Sequence, residues 1–85
     1  MATTILRLPT VKARTGLSRS TIYLRISDGC FCKPISLGAR AVGWPDSEVD
    51  AINSARIAGK TDEEIRALVV ALEEARVQAG QGVTA

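Results

Sequence analysis

Apolar residues recur along this chain at two different spacings, and the changes of spacing divide it into elements. Ile22 and Ile26 fall one helical turn apart with Leu17 just ahead of them, which predicts a helix over about 19–28. Ser18 is placed to cap its start and Gly29 to close its end. A shorter helix is expected from about Pro9 to Thr15, with proline in its first turn and Gly16 supplying the tight turn that follows. Beyond Gly29 the period becomes two. Ile35 and Leu37 flank Ser36, Val42 and Trp44 flank Gly43, and the compact run Gly38-Ala39-Arg40-Ala41 lies between them. That pattern predicts a β-hairpin with a basic tip, its apolar face laid over the helix pair.

Pro45 ends the second strand, and Asp46 is placed to cap a third helix with Val49 and Ile52 facing inward. Ala58-Gly59-Lys60 interrupts the periodicity. Thr61 and Glu64 then stand in the reciprocal positions of a capping box, opening a fourth helix that runs to about Ala79. Its stripe is Ile65, Leu68, Val69, Leu72 and Ala75, and an Asp62–Arg66 pair is expected along its exposed side. Residues 1–7 read as a loose or extended lead-in, with Ile5 and Leu6 free to tuck against the core. Gly80-Gln81-Gly82 is expected to end the fourth helix and begin a disordered tail.

These elements amount to a mainly α fold with a small β-hairpin: a winged helix-turn-helix followed by an amphipathic helix. The expected division is a winged unit over 5–57, the amphipathic helix over 61–79 and a tail over 80–85. The fourth helix can fold back on the domain or pair with its counterpart in a second molecule, and the pattern alone leaves both open. With 85 residues and one Trp, one Tyr and one Phe, there is room for a single small core.

Charge is divided unevenly along the chain. Residues 1–44 carry seven basic groups (Arg7, Lys12, Arg14, Arg19, Arg25, Lys33, Arg40) against Asp28 alone, a balance of +6. Residues 45–85 carry four basic and eight acidic groups, a balance of −4, so the overall +2 conceals a basic half suited to a polyanion. With no histidine in the chain, Ser-His and Cys-His arrangements cannot be built, and the acids are scattered, so catalysis is not expected. Cys30 and Cys32 alone cannot complete a tetrahedral metal site and are read as ordinary side chains of a reducing compartment, with a zinc shared across a dimer or redox sensing as the alternatives. No cofactor or metal is expected. No apolar run approaches the roughly 18 residues of a membrane span, and the first residues lack a signal-peptide layout, so a cytoplasmic, nucleoid-associated protein is expected.

A basic helix-turn-helix beside a basic-tipped hairpin points to double-stranded DNA. Arg19, Ser20 and Tyr23 on the second helix are expected to read or flank bases, with Ser18 and Thr21 touching phosphate. Arg14 at the end of the first helix and Arg40 at the hairpin tip are expected to hold the backbone, and Arg25 and Lys33 complete the basic surface.

Residue blocks in a fixed order sharpen this picture: Arg7-Leu8-Pro9, Arg14-Thr15-Gly16-Leu17-Ser18-Arg19-Ser20-Thr21-Ile22-Tyr23, Lys33-Pro34-Ile35-Ser36-Leu37-Gly38, Arg40-Ala41-Val42-Gly43-Trp44 and Glu48-Val49-Asp50-Ala51. Over about Leu6 to Ile52 the chain resembles the AlpA family of small phage and genomic-island regulators, winged-helix proteins related in fold to excisionases and MerR-type DNA-binding domains. The resemblance implies DNA binding by the second helix in the major groove, with the wing on backbone or minor groove. It also implies a task in prophage or island biology, at an attachment site as an excisionase (recombination directionality factor) working with an integrase, or at the promoter of the integrase gene. Three positions depart from the family pattern. Cys32 stands where a proline usually precedes the Lys-Pro pair, Cys30 where a basic or polar residue is common, and Leu24 where a basic residue is frequent. Two other readings use the same features: a phage DNA-packaging recognition subunit, and an interaction adaptor or antitoxin acting through the fourth helix.

Overall fold

Trp44 is wholly buried and sits where the helices meet the sheet in the computed structural model, which describes residues 3–83 and the side chains of 3–77. Its indole N–H donates to the Cys32 carbonyl at 2.9 Å, so the largest apolar side chain is buried without leaving a donor unpaired. Phe31 packs against it at a ring-centroid distance of 6.3 Å.

Along the chain the elements are β1 (Ile5–Leu6), α1 (Leu8–Thr15), α2 (Arg19–Ser27), β2 (Ile35–Ser36), β3 (Val42–Pro45), α3 (Asp46–Ile57) and α4 (Asp62–Val83). The three strands form an antiparallel sheet in the order β1-β3-β2, with Leu6 opposite Trp44 and Ser36 opposite Val42. The fold is the mainly α, winged arrangement that the periodicity predicts, with one addition. The expected lead-in is a strand: Ile5–Leu6 pairs with β3, burying Leu6 and leaving Ile5 exposed. Gly43 makes that pairing possible. A Cβ there would stand 2.5 Å from Ile5 Cγ2 and 3.0 Å from the Leu6 carbonyl oxygen.

β3 runs directly into α3, and this changes the expected cap. Pro45 occupies the N-cap position and Asp46 is already helical, so no side chain caps α3. The Asp46 N–H donates to the Thr4 carbonyl at 2.8 Å, an extension of the β1–β3 ladder that satisfies one of the unpaired N–H donors of the helix start. Val49 and Ile52 are buried as expected.

At α4 the capping box is formed in both directions. The Glu64 N–H donates to Thr61 Oγ1 at 3.2 Å, and the Thr61 N–H donates to Glu64 Oε1 at 3.0 Å. The Thr61 N–H first, and then its hydroxyl, hold the Glu64 carboxyl below its ordinary pKa. Ile65 and Val69 are buried in the same core as Leu6, Val11, Ile22 and Trp44, with Leu68 and Leu72 packed against it. The first half of the helix therefore folds back on the rest of the chain. Ala75, expected to continue the stripe, is exposed. Asp62 pairs with Arg56 at 3.1 Å rather than with Arg66, because Arg66 is drawn to the end of α2, where its Nε donates to the Asp28 carbonyl at 2.9 Å. α4 continues through Gly80 and Gly82 to Val83, past the expected end at Ala79, since a helical glycine costs only about 1 kcal/mol relative to alanine. Of the expected tail, residues 84–85 lie outside the described residues. Among those described, no helix is long and apolar enough to cross a membrane.

Candidate nucleic-acid interface

The turn between α1 and α2 is built from three residues. Gly16 takes φ 71°, a left-handed conformation open to glycine, and its N–H closes α1 on the Lys12 carbonyl at 2.8 Å. Thr15 Oγ1 donates to the Val11 carbonyl at 2.7 Å and accepts from the Leu17 N–H at 3.3 Å. Ser18, in extended conformation, then caps α2 by accepting from the Thr21 N–H at 3.2 Å. The Ser18 and Thr21 hydroxyls also lie 2.9 Å apart in a shared hydrogen bond. Both side chains read as phosphate ligands are thus already engaged in holding the helix start. They retain part of their hydrogen-bonding capacity, as hydroxyls both donate and accept.

Ile22 anchors α2 with no exposed surface, and Ile26 is half-buried beside it. Arg19, Ser20, Tyr23, Leu24 and Ser27 are exposed on the rest of the helix. The Arg19 guanidinium lies over the Tyr23 ring, 5.7 Å from its centroid. Tyr23 in turn meets Trp44 edge-on at 6.4 Å with the rings inclined by 69°. This stack runs from the surface of α2 to the core strand β3, so Arg19 is held in place by a ring that is itself packed on the core. Helical spacing foretells Arg19 and Tyr23 as neighbours; the contact with Trp44 joins residues 21 positions apart and has no local signal. Leu24, 61 % exposed, is an apolar residue on an otherwise polar face.

The wing is short. The Leu37 N–H donates to the Ala41 carbonyl at 2.8 Å, and Ser36 Oγ donates to the Gly38 carbonyl at 3.3 Å, leaving Arg40 exposed in the turn. Lys33 is exposed but stands at the base of the wing rather than at its tip. Its backbone is tied down on both sides: its N–H donates to Glu73 Oε2 at 2.9 Å, and its carbonyl accepts from Arg76 Nη2 at 2.8 Å. Arg14 is engaged elsewhere, in an exposed ion pair with Asp50 at 3.2 Å. Such a pair is worth about 1 kcal/mol or less, a small barrier to exchange for phosphate. Arg25 is half-buried on the flank of α2 that faces Arg56 and Arg66.

The clasp at the base of the wing is absent from the expectations above. Glu48 is buried, and both its carboxylate oxygens accept hydrogen bonds from Arg76, with Nε to Oε2 at 2.9 Å. A sequence signal does exist. Glu48 stands four residues before Ile52, and Arg76 stands four after Leu72 and seven after Val69, so both charges lie on otherwise apolar helical stripes. Cys32 lies against this pair. Burial first, and then the Glu48 carboxylate, pushes its thiol up to about 12, which keeps it protonated and unreactive. Cys30 is buried as well, and both cysteines are free thiols.

Residues 4–57 match the family described as prophage CP4-57 regulatory protein (AlpA). A protein of Enterobacteria phage P4 described as "Uncharacterized protein ORF88" is 51% identical over 55 residues, covering 65% of this chain and 62% of that protein. The chain therefore spans a little under two thirds of that relative's length. The protein of Escherichia coli (strain K12) described as "DNA-binding transcriptional activator AlpA" is 42% identical over 55 residues, 58% of this chain and 79% of that protein. No solved structure matches the chain significantly.

Proposed function

Because the chain belongs to the AlpA family of prophage regulatory proteins, we propose that it binds double-stranded DNA sequence-selectively and regulates a prophage or genomic island. The observation that carries this reading is the Arg19–Tyr23–Trp44 stack, which mounts a basic, polar helix face beside a basic-tipped wing. A major groove admits one α-helix, and a guanidinium held by stacking has lost the conformational freedom it would otherwise give up on meeting a base.

In this reading Arg19 and Ser20 contact base edges, Tyr23 positions Arg19, and Leu24 meets a thymine methyl or sugar. Ser18 and Thr21 use their remaining capacity on phosphate, and Arg40, Lys33 and Arg14 hold the backbone. The winged unit over 5–57 carries the recognition surface, and α4 completes its core and clamps the wing base. One domain of this size covers little DNA, so tight binding needs several copies or a partner such as the cognate integrase. The chain would act as a transcriptional regulator, as the printed name of the Escherichia coli relative suggests, and as a directionality factor where copies line an attachment site.

Fluorescence anisotropy on attachment-region, integrase-promoter and random duplexes tests this. Arg19→Ala should lose about 1–3 kcal/mol on the preferred duplex and little on random DNA, erasing preference. Arg40→Ala should weaken both alike. An Arg19→Ala variant that still discriminates as well as wild type removes α2 from the mechanism.

A further inference from the structure

The exposed surface of α2 has two flanks. Arg19 and Tyr23 lie on the one that meets β3 and the wing; Thr21, Arg25 and Asp28 lie on the other, beside the end of α3 and the start of α4. On this second flank a cavity of about 250 Å³ is lined by Arg25, Arg56 and Arg66 together with Asp28 and Asp62. A neighbouring cavity of about 220 Å³ shares Arg25 and Arg56 with it. Three arginines from three separate helices thus line one cavity, together with two aspartates.

The existing bonds leave most of that donor capacity available. Arg66 uses Nε on the Asp28 carbonyl. Arg56 engages Asp62 through Nη1 alone, in a pair whose Asp62 side chain is mostly exposed. Arg25 enters no ion pair among the described residues. Each guanidinium has five N–H donors suited to the paired oxygens of a phosphate.

A helix lying in the major groove, about 12 Å wide, is bordered by a phosphate backbone on each side. The wing serves one. We propose that Arg25, Arg56 and Arg66 form a seat for a backbone phosphate of the second strand, so that α4 contributes directly to DNA binding through Arg66. This rests on the DNA-binding reading above and extends it. Arg66 lies beyond residues 4–57, the part matched to the family, whereas Arg25 and Arg56 lie within it.

The test measures anisotropy for the full chain on preferred and random duplexes across a salt series, with Arg56→Ala, Arg66→Ala and Asp62→Asn. The two arginine variants should each weaken binding about three- to tenfold on both duplexes and flatten the salt slope by about one. Asp62→Asn should tighten both about two- to threefold, because it removes the carboxylate competing for Arg56. Structural damage would not raise affinity, so this arm stands even where an arginine variant folds poorly. If wild type binds DNA and all three variants match it, the seat is wrong while the α2 reading survives. If wild type binds no duplex, both fall. Titration with inorganic phosphate separates the remaining source: an Arg66-dependent site for free phosphate, with DNA affinity unchanged, would also overturn the proposal.

Discussion

The clasp beneath the wing and the outer face of α2 use the same chemistry in opposite settings. In the clasp, Arg76 and Glu48 meet with side chains 24 % and 8 % exposed, and each satisfies the other. On α2, Arg19 is exposed and makes no ion pair among the described residues, held instead by a ring. Buried charge with a complete set of partners fixes the fold, since removing one member strands the other away from water. Exposed charge with its donors unmet contributes little to stability and remains free for a ligand. Position on an apolar stripe distinguishes the two kinds of arginine here; residue type does not.

Breaking the buried side should give the largest effect on folding. Arg76→Ala leaves the Glu48 carboxylate buried and should destabilise the protein by about 3 kcal/mol in urea unfolding, without altering which DNA the folded fraction prefers. Glu48→Ala should cost less, about 1–2 kcal/mol, because Arg76 already reaches water and can turn outward. Equal losses would mean that the pair is not asymmetric as described. Ser18→Ala probes the border between the two settings. It should lose about 1 kcal/mol of stability through the cap, measured in the same titrations, with a smaller change in DNA affinity.

A pH-dependent effect, small just above pH 9, sharpens the buried side further. The Cys32 thiol is pushed up to about 12 in the folded chain from an ordinary value of 9.0. Above about pH 9 the unfolded chain releases that proton while the folded chain keeps it, so stability present below pH 9 declines as pH rises towards 12. Cys32→Ala should flatten that part of the alkaline decline in thermal unfolding. A decline identical to wild type would show that the Cys32 thiol does not titrate with a raised pKa in the folded chain.

What could be seen in the sequence follows the range of the interactions. Gly16 with Ser18, and Thr61 with Glu64, are local devices whose partners lie within four residues, and both formed as spaced. Val49 and Ile52 needed only helical period. β1 escaped notice because two residues, Ile5 and Leu6, are too short for any period, and their partners lie about 40 positions away. The same distance hid the Thr4 carbonyl that replaces an Asp46 cap. Spacing pairs Arg66 with its neighbour Asp62, since it reveals i,i+4 partners and not the Asp28 carbonyl across the fold. Of the candidate site, the α2 face was legible from its hydroxyls and arginines. The stack on Trp44 and the basic flank with Arg56 and Arg66 arise only when the helices pack together.

The proposed function turns on the basic, ring-supported face of α2 meeting duplex DNA. Titrating the purified chain against labelled duplexes at 50 and 200 mM salt tests it most directly, as phosphate contacts release counterions. Saturable binding that weakens steeply with salt and tightens on one duplex over random sequence is the expected result. Absence of binding to every duplex at the lower salt would rule out a DNA-binding role for this face.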